Sequence, residues 1–508
     1  MRSFFDGIPV FIVAALVASV AWLYGGSRID ALLPTLPWLL LFLVEMVIAF
    51  PQKAGSETSY EARARVWEDM KKDPLFWTAV GLLVLLAVPL VNNGLCPNCD
   101  CKLLAQGLSP DPPVKFLPFC VNRMQHFHVF LWFAAALSAM VATKHGLRRR
   151  GKRLLMKLVV WNGFALAVLG FVQAASNASG PLWSLRSNGT KSSDFFSSFG
   201  YVNIAGDYFM TLFAIAIALW RRSCDDVAAS LERKTADSQG SAHTRFWRRH
   251  FYLVPAAVFF FAAMNTLSRA AILGTTILLA VFFVHAFISF THRLSRGAKV
   301  RRGAIALGTV SLVTFFAVVS TPDAIQREVE TLSADVVASR ITGKGQYHFR
   351  VATELLKDHP LFGCGGWGYR HLCREKMTDE EIRLLQMKGG ANVHNDSLQF
   401  LVEHGVVGFG AMVALVVLLL VPVCSVWKQQ AKAARFMDVR RAPPKPTSLF
   451  ALPAPAFCIL VACAATYVHS FGDCPLRSAA VLTLFYTMLA AIPGFLPKKE
   501  DDANASRK

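Results

Sequence analysis

Three stretches of the chain gather polar groups of kinds that do chemistry. The first is Asn265-Thr266-Leu267-Ser268-Arg269-Ala270-Ala271-Ile272-Leu273. It sets one arginine at the end of an apolar block, where burying the charge is costly without an anionic partner. An arginine there either meets a bound anion or snorkels to lipid headgroups, and the residues alone leave both readings open. The second stretch begins at Arg350 and runs through Asp358-His359-Pro360-Leu361-Phe362-Gly363-Cys364-Gly365-Gly366 to Tyr369. Glycines at such a turn can bring backbone N–H groups up to a phosphate; the plainer reading is an amphipathic helix that ends in a glycine turn. The third is His394-Asn395-Asp396, continuing to Glu403-His404-Gly405. Helical spacing places 396, 399, 400 and 403 along one side. Each polar residue taken singly is more often a cap or a satisfied interior group. His394, Asp396 and Glu403 together offer an imidazole that titrates near neutrality and two carboxylates, the parts of a proton-transfer site.

The elements that must position these groups are membrane helices. Of 508 residues 54% are hydrophobic and only 17% charged, and the mean hydropathy is +0.41. The apolar residues fall in blocks of about 17–25, the length that crosses a hydrocarbon core roughly 30 Å thick. A soluble enzyme, a fibrous or disordered chain and an outer-membrane barrel with its alternating strands are excluded. The blocks predict an all-α polytopic membrane protein of about twelve spans, near 8–24, 31–50, 75–92, 124–143, 154–174, 204–220, 251–267, 270–290, 304–320, 397–422, 449–468 and 478–495. The chain reads as a single polytopic domain, residues 1–508, and no cleavable signal peptide is evident.

The net charge of +20 would suggest nucleic acid on a soluble protein. In a membrane protein it reads instead as basic cytoplasmic loops, and no nucleic-acid partner is expected. With both termini inside, cytoplasmic segments hold 34 of the 53 Lys and Arg, including Arg148-Arg149-Arg150, Arg221-Arg222, Arg301-Arg302 and Arg440-Arg441. Outer segments hold 18, ten of them in one long loop, 321–396, and Lys157 lies inside the fifth span. That split fixes the orientation. Loop 321–396 is too long for a connector and is the natural home for function.

Seven of the eleven cysteines fall on the outer side: Cys96, Cys99, Cys101, Cys120, Cys364, Cys373 and Cys474. The enrichment suits an oxidising compartment. Cys96-Pro-Asn-Cys99-Asp-Cys101 offers half a zinc site, but no second CxxC or HxxxH completes it. Disulfides are the expected use, with Cys364–Cys373 and one of Cys96, Cys99 and Cys101 with Cys120 as candidate pairs.

Read together, these stretches resemble the O-antigen ligase and O-antigen polymerase superfamily. Phe199-Gly200-Tyr201-Val202-Asn203 with Tyr208 is similar to its G-x-x-N stretch, Ser268-Arg269 with Leu273 to S-R-x-x-x-L, and His359 to Gly365 to H-P-L-x-G-x-G. His394-Asn395 with Gly405 follows the H-[NSQ]-x9-G signature, although Phe409 stands where its last small residue belongs. His469-Ser470 with Asp473, Pro475, Leu476 and Arg477 resembles the closing H-S-x-x-D-x-P-L-R. The resemblance covers roughly 200–220 and 254–480, and marks 254–480 as the core.

The resemblance implies a GT-C-like membrane enzyme at the outer face of a bacterial inner membrane. It would move a glycan from an undecaprenyl-diphosphate carrier to a sugar hydroxyl on a lipid-linked or growing glycan, among membrane lipids. Such transfer needs fixed cations for the departing diphosphate, and Arg forks suit phosphate oxygens. Arg269 and Arg350 are the candidates, with Arg340 and Arg477 behind them. The hydroxyl needs a base; His394 is the candidate, oriented by Asp396 or Glu403, with His359 and His469 in reserve. No cofactor or metal is expected, because arginines can neutralise the diphosphate. A flippase or transporter would carry ionisable groups within several helices, and the spans here are nearly free of charge. A metal-dependent transferase would need clustered outer carboxylates; the loop Gly25-Gly26-Ser27-Arg28-Ile29-Asp30 has one, and Asp379-Glu380-Glu381 reads as a solvated helix face. Alkaline phosphatase fused near Lys376 is expected to be active; an active cytoplasmic reporter there would overturn the orientation.

Overall fold

A computed structural model of the chain describes residues 7–27, 29–53, 57–92, 112, 114–183, 195–232, 242–291, 345–388, 391–436 and 452–497. The expected span at 304–320 lies outside them, as do Arg340, Cys96, Cys99 and Cys101. Among the described residues the chain is helical, and the one extended feature is a bridge between Phe196 and Phe199.

Helices stand at each of the other expected spans. The first group is α1 (Ile8–Trp22), α2 (Leu36–Ala49), α3 (Ser59–Lys72), α4 (Pro74–Val91), α5 (Arg123–Val141), α6 (Arg149–Ala175) and α7 (Val202–Glu232). Then come α8 (Ala242–His250), α9 (Leu253–Asn265) and α10 (Arg269–Thr291). The loop domain holds α11 (Gly345–Asp358), α12 (Gly368–Leu372) and α13 (Asp379–Lys388), and the chain closes with α14 (Asp396–Phe436), α15 (Ala454–His469) and α16 (Ala479–Ala491). Six of them, α4, α5 with its Ala142–Gly146 extension, α6, α7, α10 and α14, are long and apolar enough to cross a membrane. The others at span positions are shorter than the apolar blocks predicted. α9 stops at Asn265 because the chain turns at Leu267, whose φ is +56°. α15 stops at His469 because Ser470–Asp473 fold back on it, with Gly472 N donating to His469 O at 3.0 Å.

Local chemistry starts these helices where the chain places them. Asp73 caps α4 by accepting from Leu75 N, and Asn122 caps α5 by accepting from Gln125 N. Thr58 and Glu61 form a reciprocal capping box on α3. In the packed bundle α7 lies against α6, α9, α10 and α15. Every residue of α16 is buried, with α5 along it.

The loop domain has its own small core of Val351, Leu355, Tyr369, Cys373 and Leu385, into which α14 inserts Val402. The joint between domain and bundle is a break in α14. Gly405 has φ +64° and ψ −176° inside an otherwise helical run. Backbone groups freed there pair with the turn after α11. Val406 N and Val407 N donate to Pro360 O and Leu361 O, while Val402 O and Glu403 O accept from Cys364 N and Gly365 N. A side chain at Gly405 would need a left-handed backbone and would run its Cβ into the Leu361 carbonyl. Gly405→Ala is therefore expected to cost at least about 2 kcal/mol, read as a lower melting temperature of the purified protein. An unchanged melting temperature would show that the joint is not strained.

Candidate active site

The site is built around Asp473, in the turn between α15 and α16. Its carboxylate is 7% exposed. It accepts from the Tyr201 hydroxyl at 3.1 Å, from Asn203 Nδ2 and from Cys474 N at 2.9 Å. His394 Nδ1 lies 3.4 Å from its Oδ1. Burial alone would push the Asp473 carboxyl up. The hydrogen bond with His394, the neighbouring His469 and the Cys474 N–H outweigh burial and hold it down at about 2. Asp473 is thus an anion at any working pH. Burial and the Asp473 charge push the Tyr201 hydroxyl up, which keeps it a donor.

His394 sits at the mouth of α14 with its side chain 52% exposed. Its φ of +55° turns the chain from the loop domain into the helix. Asn395 caps that helix by accepting from Leu398 N, and its Nδ2 donates to Phe471 O. Asp396 does not reach His394. It is fully buried, its N donates to Ser470 O and its Oδ2 accepts from Leu476 N at 2.8 Å. It pins the start of α14 to the 470–477 turn. Glu403 does not orient His394 either: it accepts from Gln399 Nε2 and pairs with Arg477 at 2.8 Å. The expected contact of Asp396 or Glu403 with His394 is thus not formed: Asp396 is buried against Leu476 N and Glu403 against Arg477, and the carboxylate beside the imidazole is Asp473.

Arg477 is 4% exposed and lies over the Trp367 ring at 4.2 Å. Its Nε and Nη2 find no hydrogen-bond partner. Arg370 covers the same indole at 4.6 Å, and no carboxylate partners it among the described residues. The two guanidiniums share one indole, Arg477 buried and paired with Glu403 and Arg370 exposed, a placement that the sequence had not marked at Arg370. Arg269 opens α10 directly after Ser268, whose hydroxyl accepts from Ala271 N. That turn packs on α7 at Gly206, one turn beyond Asn203. Arg350 is engaged elsewhere: it binds Glu354 at 2.9 Å, Glu381 at 2.7 Å and Lys376 O at 3.2 Å. The bonds clasp α11 to α13, and its charge is already neutralised.

The glycine turn does not cradle an anion. Gly363 N donates to His359 O, Cys364 N and Gly365 N to α14, and Gly366 N to His126 Nδ1. Of the reserve bases, His469 is buried against Asp207 at 3.0 Å, and His359 stacks edge-on against Phe119. Cys364 and Cys373 are free buried thiols, and so is Cys120. The expected Cys364–Cys373 bridge is absent: Cys373 Sγ donates to Arg370 O, and Cys120 Sγ donates to Pro89 O. Among the described residues His394, Asp473 and Cys474 bring three ligand atoms within 4.8 Å. Burial and Asp473 push the Cys474 thiol well up, so it donates to Asp473 as a thiol and is a poor partner for a cation.

A model of the O-antigen ligase family matches residues 254–413. The match takes in Arg269, Arg350 and His394 and ends before Asp473 and Arg477. No curated protein is similar to the chain. Glu403→Gln would leave the Arg477 guanidinium buried without a counter-charge. It is expected to destabilise the protein by about 3–5 kcal/mol, measured as loss of folded material on size-exclusion chromatography. Wild-type yield and melting temperature would dismiss the pair as a structural tie.

Proposed function

We propose that the protein transfers a glycan from a polyprenyl-diphosphate carrier to a sugar hydroxyl at the membrane surface; the match of residues 254–413 to a model of the O-antigen ligase family supports a function of O-antigen ligase or polymerase type. The carrier would be undecaprenyl diphosphate, the membrane a bacterial inner membrane and the site periplasmic. The observation that carries the reading is the His394–Asp473 pair: a half-exposed imidazole backed by a buried carboxylate that stays ionised.

In this reading Asp473 accepts from Nδ1–H, which leaves the Nε2 lone pair facing the acceptor. Nε2 takes the hydroxyl proton as the oxygen attacks the anomeric carbon. The bond from that carbon to the diphosphate oxygen breaks, and its electron pair leaves with the diphosphate. Asp473 stabilises the imidazolium, while Tyr201 and Asn203 hold Asp473 in place. Arg269 meets the diphosphate, as the sequence suggested. Arg370, which has no described carboxylate partner, takes the second position in place of Arg350, which would have to give up two carboxylates to bind phosphate; Arg477 adds its charge from within the fold. Preformed cations act on charge that develops in the transition state, and no metal is required. Residues 254–480 work as one unit, since Asp473 completes what the matched stretch begins.

The family match supports ligation to a lipopolysaccharide core and polymerisation of the glycan alike. Deletion followed by a gel of surface glycans separates the two: loss of all long chains from lipid A indicates ligation, and retention of single-repeat caps indicates polymerisation. In single-turnover assays with excess EDTA, the wild type is expected to be fully active. His394→Ala is expected to lose about 10²–10⁴-fold while still binding donor, and Asp473→Asn to follow it. A His394→Ala protein within a few-fold of wild type would remove His394 from the chemistry, and activity restored only by magnesium would reject the metal-free reading.

A further inference from the structure

The end of the bundle remote from His394 carries a second built feature. Asn203 lies at the start of α7 and Arg222 lies ~28 Å further along it, at 1.5 Å per residue. There a cleft of about 280 Å³ opens between α6 and α7, closed by Tyr252. Arg150, Arg153 and Lys157 enter it from α6 at spacings of three, four and seven residues, which is one face of a helix. Arg222 and Asp226 enter from α7. Asp226 is the one acidic residue in the lining, and it is already paired with Arg222 at 2.7 Å. Arg153 is fixed through Nε, which donates to Gly494 O at 2.8 Å.

The cleft therefore holds four cations against one carboxylate. Lys157 is the telling member. It lies about 10 Å along α6 from Arg150, inside a helix long and apolar enough to cross a membrane. No described carboxylate partners it. A charge within such a helix either snorkels to the headgroups or meets an anion, and here it shares one cleft with three arginines. The level of the cleft is also marked. The short helix α8, docked through the Trp220 Nε1 hydrogen bond to His250, exposes Phe246 and Trp247 beside Arg245, Arg248 and Arg249. Aromatic and basic residues on such a helix place it at a lipid headgroup surface.

We propose that this cleft binds a phosphate-bearing anion, with its position at headgroup level pointing to an anionic phospholipid as the source. Arg150 and Arg153 would hold the phosphate oxygens as forks, Lys157 would meet the deeper charge, and Tyr252 would flank the glycerol end. The site is independent of the glycan-transfer reading, since it shares no residue with it and lies at the other end of α7.

The test uses the full chain purified in a neutral detergent, titrated with short-chain phosphatidylglycerol, with phosphatidylcholine and with inorganic pyrophosphate, and read by melting temperature and by lipid retained in native mass spectrometry. Phosphatidylglycerol is expected to bind the wild type and phosphatidylcholine not. Arg150→Gln and Lys157→Gln, both at exposed positions, should each weaken binding roughly fivefold, and the double variant about 25-fold. Lys157→Arg should keep it. Pyrophosphate that displaces the lipid confirms a phosphate site filled by a headgroup. Variant-sensitive binding of pyrophosphate with no binding of phosphatidylglycerol supports the site and assigns it to a soluble anion. Equal binding of both lipids, or an unchanged affinity in the folded double variant, overturns the proposal.

Discussion

The break in α14 at Gly405 is the constraint on which the rest of the site depends. A helix interrupted within a long apolar run frees backbone groups that lipid cannot satisfy. Here the freed groups are taken by Pro360, Leu361, Cys364 and Gly365, so the loop domain is locked to the bundle at this point. The lock requires close approach on both sides: a Cβ on Gly363 would strike the Glu403 backbone, just as one on Gly405 would strike Leu361. With the joint in place, Glu403 meets Arg477 and the indole of Trp367 comes to lie against that guanidinium. The glycines of this region serve chain against chain, not chain against ligand.

Four carboxylates near the candidate site show how environment assigns work to one chemical group. Asp396 and Glu403 are buried and committed to holding α14. Asp207 is buried against His469 and Thr466. Only Asp473 faces a half-exposed imidazole, and four further donors surround it: the Tyr201 hydroxyl, Asn203 Nδ2 and the N–H and thiol of Cys474. A carboxylate that is ionised and fixed can orient a histidine and stabilise its cation; one tied up in an ion pair cannot. The same distinction separates Arg350, whose charge two glutamates cancel, from Arg477, which has a single carboxylate partner and two unsatisfied nitrogens.

Charge is also divided along the bundle. At one end cations are few and placed individually around buried carboxylates; at the other they crowd a cleft whose lining holds one acid. An asymmetry of this kind follows from membrane insertion, which tolerates basic residues on one side. Lys157, well inside α6, is not explained by that bias alone, and it is what turns a basic surface into a candidate pocket.

Apolar length and the spacing of polar groups carry the helical class, the positions of the helices and the resemblance to O-antigen ligases, because these depend on residue type along the chain. His394 and Arg269 stand out as candidates for the same reason: each is a polar residue at the edge of an apolar block. The helix lengths were not, since α9 and α15 are ended by turns at Leu267 and Gly472 that only packing makes necessary. Nor was the partner of His394. Asp396 stands two residues away and Asp473 seventy-nine, and local spacing favoured the nearer. The fold turned Asp396 inward to hold Ser470 and Leu476, and brought Asp473 to the imidazole from the end of α15. Sequence proximity ranks residues by distance along the chain, whereas a hydrogen bond is decided by distance in space. That is why the residue types were readable in one dimension and their pairing was settled only in three.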